Sequence, residues 1–267
     1  MNDHEVARDI AKKASRLVLD IRAESNVDYS NRESTKALAD LADKSANELL
    51  ISALQSLRPT DAILSEESKD TDVRLTADRV WIIDPVDGTF EYSHSLPESA
   101  IHVALWDNVN QMFLAGAVAL IDHDFVWNMD VPGPTVKREG RGQPFVIIAS
   151  PRENKVLLKN FIAELEERVE AFGFSGVELD HCGSVGGKTY RVLSGQADVY
   201  VSSAGFNEWD SAAPAAVGSA QGLQVTDMEG TALRFNQMPP ITPSFVATWP
   251  EFHPMIMESL KLRHSWT

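Results

Sequence analysis

Val80-Trp81-Ile82-Ile83-Asp84-Pro85-Val86-Asp87-Gly88-Thr89 is the stretch of this chain on which both fold and chemistry turn. Its apolar first part reads as a buried strand. That strand runs straight into two acids, Asp84 and Asp87. Pro85 sets one backbone angle between them and biases Asp84 away from helix. A turn of this kind aims both carboxylates and the Val86 carbonyl at one point. Oxygen-only ligands so arranged suit Mg²⁺, which takes a few carboxylates plus water and substrate phosphate. Gly88 lets the backbone approach an anion closely, and Thr89 adds a hydroxyl and an N–H. The same residues also read as an Asx turn closing a strand, with Asp-Gly as ordinary turn residues.

Upstream, apolar residues at helical spacing (Ile10, Ala14, Leu17, Ile21) predict a helix over 7–22. Leu38, Ala42, Leu49, Ala53 and Leu57 predict a second over 35–57, ended by Arg58-Pro59. A short strand is expected over 62–64, and an antiparallel meander over 101–106, 115–121 and 125–128. The charged, Pro/Gly-rich stretch 131–142 is the best internal break. Beyond it the rhythm alternates: strand 145–149, helices 155–167 and 184–194, strand 199–202, helix 211–221, strand 223–226. Mixed β followed by alternating α/β predicts stacked helix and sheet layers. The chain is read as an N-terminal α+β half, 1–143, and a C-terminal α/β half, 144–267.

Composition narrows the chemistry. The 267 residues carry 24 Lys+Arg against 39 Asp+Glu, a net charge of −15. Such a surface repels polymeric nucleic acid and anionic membrane, but not a small phosphorylated substrate met by a local cation. Cys182 is the single cysteine, so a disulfide framework and a Cys-based zinc site are ruled out. The acidic N-terminus lacks a signal-peptide pattern, and the longest apolar run, 113–121, falls well short of the ~20 residues a membrane helix needs. A cytoplasmic protein is expected. The histidines show no His-Glu-x-x-His spacing, and nucleophile-elbow, Walker and Gly-x-Gly-x-x-Gly motifs are absent. Asp84 and Asp87 stand too far apart for the Asp-x-Asp of a haloacid-dehalogenase-type phosphatase.

Two further acidic runs join the first. Ser65-Glu66-Glu67-Ser68 follows the strand at 62–64 and can reach the same sheet edge, though it also reads as a solvated acidic loop. In Glu208-Trp209-Asp210-Ser211-Ala212-Ala213-Pro214, Asp210 sits at an expected helix start. A plain N-cap, worth about 1 kcal/mol, explains it too. The small residues that follow nevertheless allow the close packing a metal site requires. Acids gathered at element ends fit a metal cluster better than separate accidents.

Glu66-Glu67-Ser68, Asp84-Pro85-Val86-Asp87-Gly88-Thr89 and Trp209-Asp210-Ser211-Ala212-Ala213 resemble the three signature motifs of the inositol monophosphatase superfamily, Mg²⁺-dependent and lithium-sensitive phosphatases. Order and spacing match over roughly residues 5–260. Asp43 lies where that family places the acid that helps activate water; Asp40, one turn earlier, competes, and the spacing to Glu66 favours Asp43. Phe90-Glu91-Tyr92 after Asp-Gly-Thr, and Gly183-Ser184-Val185-Gly186-Gly187-Lys188, are similar to the 3′(2′),5′-bisphosphate nucleotidases of actinobacterial type. Glu91 also reads as a helix-start acid and Lys188 as a surface lysine. Residues 140–144 are shorter than the family's usual hairpin, which leaves that loop's substrate contacts open.

The resemblance implies a layered α-β-α-β-α sandwich and two or three Mg²⁺ ions. Glu66, Asp84 and the Val86 carbonyl would hold one ion, and Asp84, Asp87 and Asp210 a second. Asp43 with Thr89, through Glu66, would activate water. Asp87, Gly88, Thr89, Ser184, Lys188 and Asp210 would line the substrate site, with Lys188 meeting a second phosphate. The implied reaction removes the 3′-phosphate of adenosine 3′,5′-bisphosphate, a step of sulfur assimilation. Inositol monophosphate, fructose bisphosphate or histidinol phosphate are alternative substrates of the same site, and homodimer assembly is left open. A non-catalytic metal and nucleotide sensor is the rival of another class; it should have lost a ligand, whereas every expected position holds an acid.

Overall fold

The two N-terminal periodicities become helices α1 (Asp3–Glu24) and α2 (Arg32–Leu57) in this computed structural model, which describes residues 1–261. Each begins a few residues before its apolar pattern does, because Asn2 and Asn31 cap them. Asn2 forms a capping box with Glu5, and the Asn31 side chain accepts from the N–H of Glu33 and Ser34. The last residues of the C-terminal half, His264 among them, lie outside the described residues.

Strands β1 (Ala62–Ser65), β2 (Arg79–Asp87), β3 (Ala100–Asp107), β4 (Met112–Leu120) and β5 (Val126–Asn128) form one sheet in that spatial order. The β1–β2 pair is parallel; the rest is the expected antiparallel meander. A short helix α3 (Thr89–Ser93) follows β2 directly. One local feature decides the site. Strand β2 does not stop at Asp84-Pro85 but continues to Asp87 across a bulge, with Asp84 opposite His102 and Asp87 opposite Ala100. Three residue steps on β2 therefore face two on β3. In a regular strand Asp84 and Asp87 would point to opposite faces. The extra residue turns them to one side.

After the irregular stretch 129–144 come β6 (Phe145–Ala149), α4 (Lys155–Val169), β7 (Val177–His181), α5 (Val185–Leu193), β8 (Val199–Ser202), β9 (Phe206–Asn207), α6 (Glu208–Ala220), β10 (Gln224–Thr226), β11 (Ile241–Thr242), β12 (Phe245–Thr248) and α7 (His253–Lys261). The second sheet runs β10-β12-β8-β6-β7, and β9 pairs with β11. Strand β7 carries Glu178, Asp180 and His181 on an exposed sheet edge, so no apolar run marks it in the sequence. Helix α6 starts at Glu208, not at Ser211, which places Asp210 inside the first turn; Asn207 precedes the helix, so Asp210 is no N-cap.

The layers follow from three buried clusters. Helices α1 and α2 cover one face of the first sheet through Val6, Ile10, Leu50, Trp81 and Val103. Helices α5 and α6 lie between the sheets, where Val192 and Ala213 meet Val80 and Ala104 from one side and Tyr200 and Phe245 from the other. Helices α4 and α7 close the outer face of the second sheet through Phe161, Leu165 and Ile256. The order is α-β-α-β-α. The 143/144 boundary falls in the irregular stretch, while the middle cluster draws on residues from both sides of it.

Candidate active site

Asp84, Asp87 and Asp210 each offer a carboxylate oxygen, and these oxygens lie within 4.8 Å of one another. The bulge in β2 supplies the first two, and the first turn of α6 the third. Asp84 is 1% exposed; its Oδ1 accepts the Val86 N–H at 3.0 Å, and its Oδ2 is buried with no hydrogen-bond partner. Glu66, just past β1, keeps part of its side chain in solvent yet lies close enough to Asp84 to interact with it electrostatically. It stands outside the close group of three. Asp43 projects from α2, buried, with Oδ1 unpartnered. Asp40 instead is exposed and paired with Lys36 at 2.5 Å. Burial and orientation thus separate the two candidates that lie one turn apart.

Crowded acids with few donors hold their protons. Burial, then Glu66, Asp87 and Asp210, push Asp84 well above the usual carboxylate range. Burial, then Asp87 and Glu66, raise Asp210 to about 7. Burial, then Glu66, Glu67 and Asp40, raise Asp43 to about 8. A buried carboxylate oxygen without a donor is costly unless a cation meets it. The orphaned Asp84 Oδ2 and the all-oxygen donor set therefore fit a hard divalent cation.

Asp87 has the opposite surroundings. Its Oδ2 accepts from the Ser184 hydroxyl at 2.5 Å and the Gly186 N–H at 2.8 Å, and His102 Nε2 lies 3.2 Å away. Burial alone would raise its pKa, but His102, Lys188 and Ser184 outweigh it and hold the carboxyl below its ordinary value. His102 faces Asp84 across the β2–β3 ladder and is fully buried. Sequence reading passed over it; its place between Ala100 and Ala104 on the inward face of β3 was the available signal. Gly88 takes the left-handed φ of +81°, and a Cβ there would stand 3.0 Å from the Ser184 Cβ. The positive φ and that close approach both favour glycine.

A second network fixes Asp210 against the Glu66 loop. Glu208, fully buried, accepts the N–H groups of Asn236 and Gln237, both at 2.7 Å. Asn236 Oδ1 accepts from buried Arg74 at 2.7 Å, and Arg74 donates twice to Asp70 at 2.7 and 2.8 Å. The chain between Glu66 and β2 is thereby tied to the turn that carries Asp210. Nothing in the spacing of Arg74, Glu208 and Asn236 announces this, since the three converge only on folding.

The inositol monophosphatase family model matches residues 2–264. The chain belongs to the inositol monophosphatase family. The 3′-phosphoadenosine 5′-phosphate phosphatase of Mycobacterium leprae (strain TN) is 35% identical over 96% of this chain and 93% of its own. The 3′(2′),5′-bisphosphate nucleotidase CysQ of Escherichia coli (strain K12) is 28% identical over 73% of this chain and 78% of its own. The crystal structure of CysQ from Bacteroides thetaiotaomicron superimposes with a TM-score of 0.73 at 25% identity, covering 92% and 97% of the two chains. The protein is thus a phosphatase of the inositol monophosphatase family, and its layered fold is that of the family's solved members.

Two expectations about this family member's substrate residues need correction. Ser184 is fully buried, donating to Asp87 and accepting the Gly187 N–H at 2.9 Å, so its hydroxyl supports a carboxylate and does not face a cleft. Lys188 is neither a surface lysine nor a rim cation. It is 1% exposed, its Nζ donates to the carbonyls of Cys182, Gly183 and Ser184, and it sits 5.0 Å over the Tyr200 ring. Its ammonium braces the turn whose Ser184 and Gly186 hold Asp87.

Two clefts flank the Thr89–Phe90 ridge. One, about 520 Å³, is lined by Gly88, Thr89, Glu91, Ser150, Arg152 and Gly183 among others. The other, about 490 Å³, is lined by Tyr29, Arg32, Lys36, Thr89, Phe90 and His94 among others. Residues 140–144 line neither.

Proposed function

We propose that this protein is a Mg²⁺-dependent phosphatase that removes the 3′-phosphate of adenosine 3′,5′-bisphosphate, yielding AMP and phosphate. The convergence of the Asp84, Asp87 and Asp210 carboxylates, with the Asp84 Oδ2 left unpartnered, carries the chemistry. The nucleotide rests on the kinship with the mycobacterial 3′-phosphoadenosine 5′-phosphate phosphatase over nearly the whole chain. Asp84, Asp87, Asp210, Glu66 and the Val86 carbonyl would hold two or three ions. When bound, Mg²⁺ neutralises phosphate charge and acidifies water.

The chain's own groups then divide the remaining work. Gly88, left-handed, opens α3 and turns the Gly88–Thr89 backbone toward the phosphate. The Thr89 hydroxyl lies 3.4 Å from the Val86 carbonyl, beside the acid cluster, where it orients the attacking water. Asp43 receives that water's proton at its free Oδ1. Its pKa, about 8 in the acid-crowded site, is lowered as positive charge enters, which moves it in the direction a general base needs. Asp87, held anionic by its own donors, keeps its shape whether or not a cation is present.

Phosphate release from adenosine 3′,5′-bisphosphate, inositol 1-phosphate, fructose 1,6-bisphosphate and histidinol phosphate tests the reading. The nucleotide should be turned over with the highest kcat/KM, EDTA should abolish release, and Mg²⁺ should restore it. Equal or faster turnover of inositol 1-phosphate would overturn the substrate assignment. Full activity in EDTA would overturn the metal assignment.

A further inference from the structure

A nucleotide bisphosphate carries a second phosphate away from the reacting one, and a protein of net charge −15 must meet it with a cation. The motif lysine cannot, because the Lys188 ammonium is buried and already donates to three carbonyls. Among the described residues, the cleft beside Gly88 and Thr89 has one basic lining residue, Arg152. We infer that the Arg152 guanidinium is the specificity-determining cation that receives the second phosphate of the substrate. This rests on the nucleotide reading above and names the residue that enforces it.

Several observations converge on Arg152. It follows β6 directly, in the tight turn where its own N–H donates to the Ser150 hydroxyl at 3.2 Å, so its Cα is anchored at the cleft wall. Its guanidinium makes no hydrogen bond or ion pair among the described residues, whereas the neighbouring acid Glu153 is buried and turned inward to Ser202 and Ser203. The guanidinium is therefore not spoken for by the adjacent carboxylate. The cleft floor is built for close approach: Gly88 and Gly183 line it, and a Cβ on Gly183 would collide with the Glu91 carboxylate. Glu91 on that floor repels a phosphate, which drives the anionic group toward the Arg152 wall and leaves the carboxylate for a sugar hydroxyl. Arginine's planar fork also matches a phosphate with two parallel hydrogen bonds, a geometry lysine lacks.

The other cleft offers the competing cations Arg32 and Lys36. Lys36 is taken by Asp40. Arg32 sits on a wall that also presents Tyr29 and the stacked Phe90–His94 pair, ring centroids 4.1 Å apart, an apolar and aromatic surface. That wall suits a base better than a phosphate.

The test compares adenosine 3′,5′-bisphosphate with adenosine 3′-monophosphate, which share base, sugar and scissile phosphate and differ only in the second phosphate. Arg152→Ala should raise KM for the bisphosphate about tenfold or more, as for a lost charge-assisted contact. It should leave kcat, the kinetics on the monophosphate and the melting temperature unchanged. Arg152→Lys should recover part of the bisphosphate affinity. An equal loss on both nucleotides, no loss on either, or a selective loss in Arg32→Ala instead would each overturn the assignment. The two levels fail differently. A wild-type enzyme that prefers the bisphosphate beside an indifferent Arg152→Ala variant overturns Arg152 alone; a wild-type enzyme that turns over inositol 1-phosphate and neither nucleotide overturns the nucleotide reading and Arg152 with it.

Discussion

Asp87 and Asp84 stand three positions apart on one strand, yet their environments are opposites. Around Asp87 the protein supplies donors: Ser184, the Gly186 N–H, His102 nearby, and Lys188 bracing the turn behind them. Around Asp84 it supplies further acids, Glu66, Asp210 and Asp43, and leaves Oδ2 bare. The donor-rich side is complete as the chain folds. The acid-rich side could be completed by a cation from outside. The contrast teaches where rigidity and where affinity would reside under the proposed function: helix α5 sets the position of one proposed ligand in advance, and the surplus negative charge across from it favours a cation.

Breaking the acid-rich side should produce the largest effect. Asp84→Asn should leave less than about a tenth of wild-type turnover, given the size of metal contributions to such chemistry. The circular dichroism spectrum should be unchanged, because the substitution relieves repulsion in the metal-free protein. Thermal stabilisation by Mg²⁺, about 2.7 kcal/mol at 100 times Kd, should disappear with it. A melting curve that still shifts with Mg²⁺ would move the metal away from Asp84.

Next in size is Asp43→Asn, expected to lower kcat roughly 10²-fold with little change in KM, as for a general base. Asp40→Asn should be nearly silent, since Asp40 is solvent-exposed and paired with Lys36. Steady-state kinetics on both variants decide between them. A damaged Asp40 variant beside an intact Asp43 variant would contradict the burial difference on α2.

The donor-rich side breaks differently. Lys188→Met strips the donor from three buried carbonyls, at a cost of about 1–3 kcal/mol for unsatisfied groups. Melting temperature should fall, and turnover should fall by the same factor on nucleotide and inositol phosphates, because the loss passes through Asp87 and not through substrate choice. A loss confined to the bisphosphate would return Lys188 to the substrate.

The smallest effect is the sharpest test of the comparison, since the two sides should slope oppositely with pH. Asp43 and Asp210 bind their protons more tightly folded than unfolded, at about 8 and about 7. Their contribution is present at low pH and is lost as pH rises from the unfolded carboxylate range, about 4, toward 8. Asp87, lowered, contributes above its unfolded pKa and loses that contribution as pH falls through its folded one. In EDTA, stability by urea titration should therefore decline from pH 5 to 8. Mg²⁺ should flatten that decline, as should Asp43→Asn in the metal-free protein.

Local patterns settled much of this protein in advance. The helical spacing before residue 58, the strand leading into Asp84, the antiparallel meander and the acidic motifs are all interactions between near neighbours, so residue order alone displays them. What order could not display is whatever depends on meetings across the chain. Asp84 and Asp87 point one way because a bulge opposite β3 adds a residue, and pairing register belongs to the sheet. Strand β7 exists because β6 offers it an edge, not because its own residues are apolar. Lys188 turned inward because the carbonyls of residues 182–184 lay nearer than solvent, and a long flexible stem follows its strongest acceptors. Glu208, Asn236 and Arg74 are separated widely in the chain and meet only when α6 docks. Sequence determines which groups are available; folding decides which of them are already satisfied, and two of the acids it leaves with an unpartnered oxygen, Asp84 and Asp43, are those on which the proposed chemistry rests.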